Sequence, residues 1–439
     1  MSLSAVSFQV QPSSIGGETG VPGDKSISHR AVLLGAIARG RSSVRGFSDG
    51  ADCAATVACA RALGVPISQP AGDTLQIEGV GAHGLRAPAG TLDAGNSGTT
   101  LRLLTGLLAG QTFDSVLTGD ASLRRRPMAR VAEPLCRMGA EVLTTSGCPP
   151  VRIRGGRQLS GIHYRLPVPS AQVKSALLLA GLYARGETCI EETDPARDHT
   201  ERMLPAFRCV IERRDRCVCI SGGQQLRGCN IDVPGDFSAA AFFIVAASLA
   251  GRDTLVIRDV GVNRTRTGLL QALASMGAAI ELLRPRRQGG EPVADISVRP
   301  APLRGIRVPP ALVPAMIDEL PVLAVAAAAA SGCTLITGAG ELRLKESDRI
   351  SVIAGGLRAL GIDVQEAPDG LSIEGGTLEG GRVDARGDHR AAMAFAVAGA
   401  AARGPVEVSD VANVGTSFPG FVASARAIGM NITGGIGGA

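Results

Sequence analysis

A two-domain α/β protein assembled from six repeated units is what the 439-residue sequence predicts, on three observations. An Ala/Leu-rich run that ends in Gly and leads into a strand-like stretch recurs six times, closing at Gly40, Gly110, Gly186, Gly251, Gly332 and Gly404. The intervals are 70, 76, 65, 81 and 72 residues, the period of a repeated supersecondary unit. The tetrapeptide VPGD stands at Val21 and again at Val233, 212 residues later, an interval of three units. A chain of this length exceeds one ordinary core, so three units in each of two domains is the expected arrangement.

The elements follow in order within each unit. The first helices are RAVLLGAIARG, LRLLTGLLAG, SALLLAGLYARG, AAFFIVAASLAG, VLAVAAAAASG and MAFAVAGAAARG. Gly just past a helix is the expected left-handed stop. The stretches SSVRGF, FDSVLTG, TCIEE, DTLVIRDV, CTLITG and VEVSDV then read as buried strands. Second helices end in ALGVPI, RMGAEV, SMGAAI, ALGIDV and AIGMNI, supplying Gly64, Gly139, Gly277, Gly361 and Gly429; the third unit has FRCVIE, with Cys209 in that place. If the chain crosses between domains at the two VPGD copies, residues 23–235 form a continuous inserted domain. Residues 1–22 and 236–439 then form the other from both chain ends, each crossing being a hinge.

Composition excludes several function classes. Hydrophobic residues at 45% with 19% charge describe a globular protein. Aromatic residues are only 3%, with no Trp, which argues against recognition by base stacking. The net charge of +5 suits a small anionic ligand better than a polyanion surface. The N-terminus MSLSAVSFQV has no signal or transit character, and apolar runs are too short to span a bilayer, so a cytoplasmic protein is expected. Cys217, Cys219 and Cys229 lack zinc-ribbon spacing, and the ten cysteines are expected to be free and mostly buried.

The helix starts carry the chemistry. First helices open at GDKSISHR, GNSGTT, PSAQVKS, GDFSAAA, MIDELP and GDHRAAM, and second helices near SDGADC, RRRPMAR, ARDHTER, NRTRTG, KESDRI and TSFPGF. Ser, Thr, Asn and Asp there are ordinary caps. Caps do not explain Lys25, Arg30, Arg126, Lys174, Arg197, Lys345, Arg349 and Arg390, because a cation at a helix N-terminus opposes the macrodipole. Repeating that conflict at many starts points to a compensating anionic ligand. Singly, the Arg124–Arg126 run reads as solvated surface, KESDR as a braced helix start and Asp318 as an N-cap. His29, His199 and His389 have no triad context and read as structural. GNSGTT resembles a phosphate-cradling turn, but no Walker lysine supports nucleotide hydrolysis.

At these residues the sequence resembles the enolpyruvyl transferase family, in its 3-phosphoshikimate 1-carboxyvinyltransferase (EPSP synthase) branch. GDKSISHRA, DAGNSGTTLRLL, LTGDASLRRRPM, SAQVKSALLLAG, RDHTERM, VPGDFSAAAF, MIDELPVLA, LRLKESDRI and GDHRAAMAF carry the likeness along the whole chain. The resemblance implies a two-domain inverse (inside-out) α/β barrel of six βαβαββ repeats, three per domain, with the active site in the cleft between the domains. It implies transfer of the enolpyruvyl group of phosphoenolpyruvate to the 5-hydroxyl of shikimate 3-phosphate, by addition–elimination through a tetrahedral ketal. No metal or organic cofactor is implied, and the expected partners are the two small substrates, with no nucleic acid, no membrane and a monomeric chain.

Carried over by position, Lys25, Ser26, Arg30, Ser170, Ala171 (through its backbone), Gln172, Arg197, Asp318 and Lys345 resemble shikimate 3-phosphate contacts. Lys25, Asn96, Gly98, Arg126, Gln172, Arg349 and Arg390 resemble phosphoenolpyruvate contacts. The resemblance makes Glu346 the acid that protonates the methylene and Asp318 the base at the 5-hydroxyl, with Lys25 the third catalytic group. Lys345 and Arg349 would lower the pKa of Glu346, while burial and two anionic substrates would raise it. Thr416 stands where many relatives have Lys. The motifs GDK, SAQVK, RDHTE and NRTR resemble the class II subgroup, and with Gly98 retained partial insensitivity to glyphosate is expected. The rivals are the sister UDP-N-acetylglucosamine 1-carboxyvinyltransferase, which uses a loop Cys that is missing near ASLRRRP, and an RNA 3′-phosphate cyclase-like RNA-binding protein.

Overall fold

The structure, a computed structural model, describes residues 6–435. Twelve α-helices occur among them: α1 Lys25–Ile37, α2 Ala51–Ala62, α3 Gly98–Leu108, α4 Ala129–Arg137, α5 Ala171–Gly181, α6 His199–Met203, α7 Phe237–Ala250, α8 Gly268–Ser275, α9 Leu320–Ala328, α10 Arg349–Ala359, α11 His389–Ala401 and α12 Phe421–Ala427. Five of the six first helices are capped by a side chain: Asp24, Ser97, Ser170, Asp236 and Asp388 each accept from a first-turn N–H. These are the short polar residues that satisfy a helix's orphan donors. At α9 the Ncap residue is Glu319, which makes no such bond.

The chain divides into two compact units. One holds the chain up to Pro22, Pro234–Arg287 and the chain from Pro292; the other holds Gly23–Val233 and Gln288–Glu291. Both longer boundaries fall inside a VPGD tetrapeptide. A further passage was not legible in the sequence: the tip Gln288–Glu291 of a long hairpin groups with the second unit, where His199 Nδ1 lies 2.8 Å from Glu291 Oε1.

Among the described residues, each unit contains three sheets. In the second unit they run Asn230–Asp232, Arg39–Arg45, Thr74–Val80, Ile67–Ala71; then Leu92–Asp93, Ser115–Thr118, Cys148–Arg154, Glu141–Thr145; then His163–Arg165, Glu187–Glu191, Cys217–Ser221, Glu212–Arg214. In each, the first two strands are parallel and the remaining neighbours antiparallel. A parallel pair needs a crossover, and a helix supplies it. The first unit repeats the pattern with Ile15–Thr19 parallel to Gly251–Gly261 and Gly381–Asp384 parallel to Val406–Ser409. Its remaining sheet is three-stranded, the parallel edge reduced to the bridges Arg304–Ser331 and Arg307–Leu335.

First and second helices differ in burial. Phe237–Ser248 of α7, all of α9 and His389–Ala400 of α11 are buried, and these three helices pack against one another. A helix apolar on every side belongs inside a core. The second helices keep an exposed face, as in α2 and α4. Phe8, Phe242, Phe243, Phe418 and Phe421 pack ring against ring in the first unit, so half of the chain's ten Phe form one cluster. Among the described residues no single helix is long and apolar enough to cross a membrane.

Two expectations need correction. Gly64, Gly139, Gly277, Gly361 and Gly429 all have positive φ, and in the third unit Arg208 takes the left-handed place at φ 60°. Gly110, Gly251 and Gly404 do not adopt it. Gly251 has φ −64° and starts a strand, and a Cβ on Gly110 would stand 2.3 Å from Cγ of Tyr183, so close packing selects that glycine. The cysteines are not all free or mostly buried. Cys189 and Cys219 face each other across antiparallel strands and form a disulfide, and Cys136 and Cys333 are exposed.

Candidate active site

In the second unit, three helix N-termini present the expected polar groups. At α1, Lys25 Nζ is 2.9 Å from Asp52 Oδ2 in the first turn of α2. Arg30, one turn on, is buried; Nη1 donates to the Ser26 carbonyl at 2.9 Å, Nε to Thr200 Oγ1 at 2.8 Å and Nη2 to Ser175 Oγ at 2.7 Å. Those bonds tie α1 to α5 and α6. At α3, Arg126 Nη2 donates to Asn96 Oδ1 at 2.8 Å, and Asn96 Nδ2 to Asp120 Oδ2 at 2.6 Å. A Cβ on Gly98 would meet Arg102 Nη1 at 2.6 Å and Arg126 Nη1 at 3.3 Å, so Gly leaves room for two guanidinium groups. At α5, Ser170 is the cap, Ala171 opens the helix, and Gln172 receives Arg102 Nη1 at 2.8 Å while donating to Thr99 Oγ1 at 3.1 Å. Arg197 is half-buried in the segment before α6.

Lys174 departs from the other helix-start cations. It is fully buried, with Nζ 2.8 Å from Glu192 Oε1 and 2.6 Å from Glu201 Oε1, so these two carboxylates, not a ligand, answer its charge. His29 is buried with Nδ1 2.6 Å from Thr56 Oγ1; burial first, then Lys25 and Arg30, holds its pKa well below the usual value. It is neutral at pH 7 and structural.

In the first unit, Asp318, Lys345, Glu346, Arg349 and Arg390 form one cluster. Arg349 Nη1 is 3.2 Å from Asp318 Oδ1, Nη2 is 2.5 Å from Glu346 Oε2, and Nε is 2.8 Å from Asp388 Oδ2. Burial opposes the Arg349 charge, but Asp388, Glu346 and Asp318 together outweigh it and raise its pKa. Lys345 Nζ lies 3.8 Å and Arg390 Nη2 3.7 Å from Asp318, and Arg390 Nη1 donates to the Asp318 carbonyl at 3.3 Å. Asp318 is therefore not the cap of α9; Glu319 occupies that position. The cluster places two carboxylates and three cations in direct contact.

A family model described as EPSP synthase (3-phosphoshikimate 1-carboxyvinyltransferase) matches residues 10–424. The chain belongs to the EPSP synthase family. The 3-phosphoshikimate 1-carboxyvinyltransferase of Methylococcus capsulatus is 56% identical over 417 residues, 95% of each chain. That of Alkalilimnicola ehrlichii is 57% identical over 429 residues, 97% of this chain and 96% of its own. The solved EPSP synthase structure from Acinetobacter baumannii superposes with a TM-score of 0.87 at 48% identity, covering 98% of this chain and 100% of its own. None of these matches carries the name of the sister transferase or of an RNA-binding protein.

Several residues around this family's motifs escaped the sequence reading. Asp388 looked like a cap and is one, yet its second oxygen also holds Arg349. Asp52, in the first turn of the helix that starts near SDGADC, pairs with Lys25. Arg102, within α3, is buried beside Gly98. In the first unit, Arg266 Nη2 is 3.0 Å from Asp236 Oδ1 and 2.7 Å from Ser238 Oγ, which donates to Glu319. Nothing in the polar run NRTRTG around Arg266 signalled that network.

Proposed function

We infer that this chain transfers the enolpyruvyl group of phosphoenolpyruvate to the 5-hydroxyl of shikimate 3-phosphate, releasing phosphate, by addition–elimination in the shikimate pathway. The observation that carries the inference is the edge of Arg349: Nη1 and Nη2 hold Asp318 and Glu346, while Nε is anchored on buried Asp388. A carboxylate prefers that same two-donor edge. When the carboxylate of phosphoenolpyruvate takes it, Asp318 and Glu346 both give up their contact with Arg349. Asp318 then turns to accept the 5-hydroxyl proton, and Glu346, displaced from Arg349, to carry the proton for the methylene carbon. Binding of one substrate thus releases base and acid together.

The remaining roles rest on the same reading. Arg390 completes the grip on the carboxylate, and Lys25 and Arg126 stabilise the departing phosphate. Ser26, Arg30, Ser170, Ala171, Gln172, Arg197 and Lys345 hold shikimate 3-phosphate, and Asn96 and Gly98 shape the phosphoenolpyruvate corner. The six units form a pair of inverse α/β barrels, and the enzyme works as a cytoplasmic monomer without nucleic acid.

Phosphate release from phosphoenolpyruvate, with and without shikimate 3-phosphate, tests the function in wild type and Asp318→Ala. Release that requires both substrates is expected, falling by roughly 10²–10⁴-fold in the variant, the usual worth of general base catalysis. No release by wild type would overturn the function; full activity in the variant would overturn the base.

A further inference from the structure

One face of the third sheet in the second unit brings together residues with no place in the reaction, from exposed Glu187 to buried Cys219. Register aligns His163, Cys189, Cys219 and Glu212 in one row across the four strands. Paired residues share a face of a sheet, and the alternating residues Thr188, Ile190, Val218 and Ile220 are buried on the other. Two residues before Cys189, Glu187 lies on the same face, with Oε2 3.2 Å from Cys189 Sγ. The donor atoms of Glu187, Cys189 and Cys219 all lie within 4.8 Å of one another.

We propose that Cys189, Cys219 and Glu187 form a binding site for one thiophilic divalent cation, Zn²⁺ by the chemistry of its donors. Two thiolates and a carboxylate suit zinc, which takes sulfur at about 2.3 Å and oxygen at about 2.0–2.2 Å. Two such bonds on one tetrahedral centre set sulfur and oxygen roughly 3.5 Å apart, close to the separation of Cys189 Sγ and Glu187 Oε2. His163 shares the row but its Nε2 turns to Glu191 Oε2 at 3.4 Å, so solvent takes the fourth position.

The site exists only as a dithiol. A dithiol reductant delivers two electrons and two protons to the Cys189–Cys219 disulfide, becoming a disulfide itself; the cation then displaces both thiol protons. Disulfide and metal complex exclude each other, because both use the same sulfur atoms. Arg214 competes with the cation, since Nη1 and Nη2 each donate to Glu187 at 2.9 Å. Other thiols inside this unit are poor competitors: burial pushes buried Cys59 up to about 12, and buried Cys209 and half-buried Cys229 to about 11.

The test titrates Cd²⁺, read by thiolate charge-transfer absorbance, and Zn²⁺, read by competition with a chromophoric chelator, into tag-free enzyme. One sample is reduced by a phosphine and desalted anaerobically, and another is oxidised. The reduced enzyme is expected to bind one equivalent with two thiolates, and the oxidised enzyme none. Outer-shell losses alone cost roughly 10–100-fold in metal affinity, so Cys189→Ser or Cys219→Ser should cost at least about 100-fold. Glu187→Gln should weaken binding about 10-fold, Arg214→Ala should tighten it several-fold, and Cys217→Ser should leave it unchanged. Phosphate release verifies that each variant is folded. Equal binding by reduced wild type and the Cys189→Ser/Cys219→Ser double variant would overturn the proposal, as would loss of binding in Cys217→Ser.

Discussion

Replacing Asp388 by Asn tests the anchor beneath the proposed chemistry. Its Oδ1 accepts from the N–H groups of Arg390 and Ala391, and Asn keeps that oxygen. Its Oδ2 accepts from Arg349 Nε at 2.8 Å and Ser347 Oγ at 3.2 Å, and in Asn an NH₂ would face the Arg349 donor. Arg349 is 1% exposed and Asp388 0%, so water cannot repair the loss. Stranding a buried donor costs about 1–3 kcal/mol, and more when it is charged. Removing one partner of a buried pair sets an upper range of about 3–5 kcal/mol. Glu346 and Asp318 still neutralise Arg349, which favours the lower end, about 3 kcal/mol. At roughly 2–4 °C per kcal/mol for a unit of this size, Tm should fall by about 6–12 °C. Loosening Arg349 should also raise KM for phosphoenolpyruvate about 10-fold, the equivalent of about 1.4 kcal/mol, with less effect on shikimate 3-phosphate. Thermal unfolding and steady-state phosphate release read both effects. A soluble variant with Tm within about 2 °C of wild type and an unchanged KM for phosphoenolpyruvate would refute the anchor.

Lys174→Met should destabilise the second unit by about 3–5 kcal/mol, because Glu192 and Glu201 lose their buried cation; adding Glu192→Gln and Glu201→Gln should restore much of the loss in denaturant titrations. Burial, then Lys25 and Arg30, holds the folded-state pKa of His29 well below the unfolded value of about 6.5, so as pH falls the unfolded chain takes up its proton first. Its contribution is therefore complete above that pH and lost as pH falls, by up to about 1.4 kcal/mol per unit. His29→Gln should flatten the stability profile as pH falls below about 6.5, and parallel profiles would exclude this role. Gly98→Ala should push Arg102 and Arg126 aside and raise KM for phosphoenolpyruvate, while glyphosate titration against wild type should show partial insensitivity and against the variant weaker inhibition still.

How much of the molecule was legible depended on the range of the interaction that each residue serves. Helix starts and the left-handed glycines after second helices are local: capping needs a side chain within three residues, and a positive φ needs no partner at all. Asp24, Ser97, Ser170 and Asp388 could thus be read directly, as could Gly64 and Gly429. Gly110 and Gly251 could not, because the same letter can answer a neighbouring ring or carbonyl as well as a dihedral angle. Lys174 and Arg349 were indistinguishable as helix-start cations. One is enclosed by Glu192 and Glu201, whereas the other has its two-donor edge on Asp318 and Glu346, the carboxylates proposed for catalysis.

Periodicity, caps and ordered motifs by themselves pointed to a mixed α/β protein and to the family, and nominated the candidate residues, since these depend on what is adjacent along the chain. Tertiary structure alone decided which carboxylate answers which cation. It paired Asp388 with Arg349 and Asp52 with Lys25, 39 and 27 residues apart, and set Cys189 against Cys219 rather than against its sequence neighbours. Charge pairing and thiol chemistry act over a few ångströms of space, and strand register, not spacing in the chain, determines who is within reach.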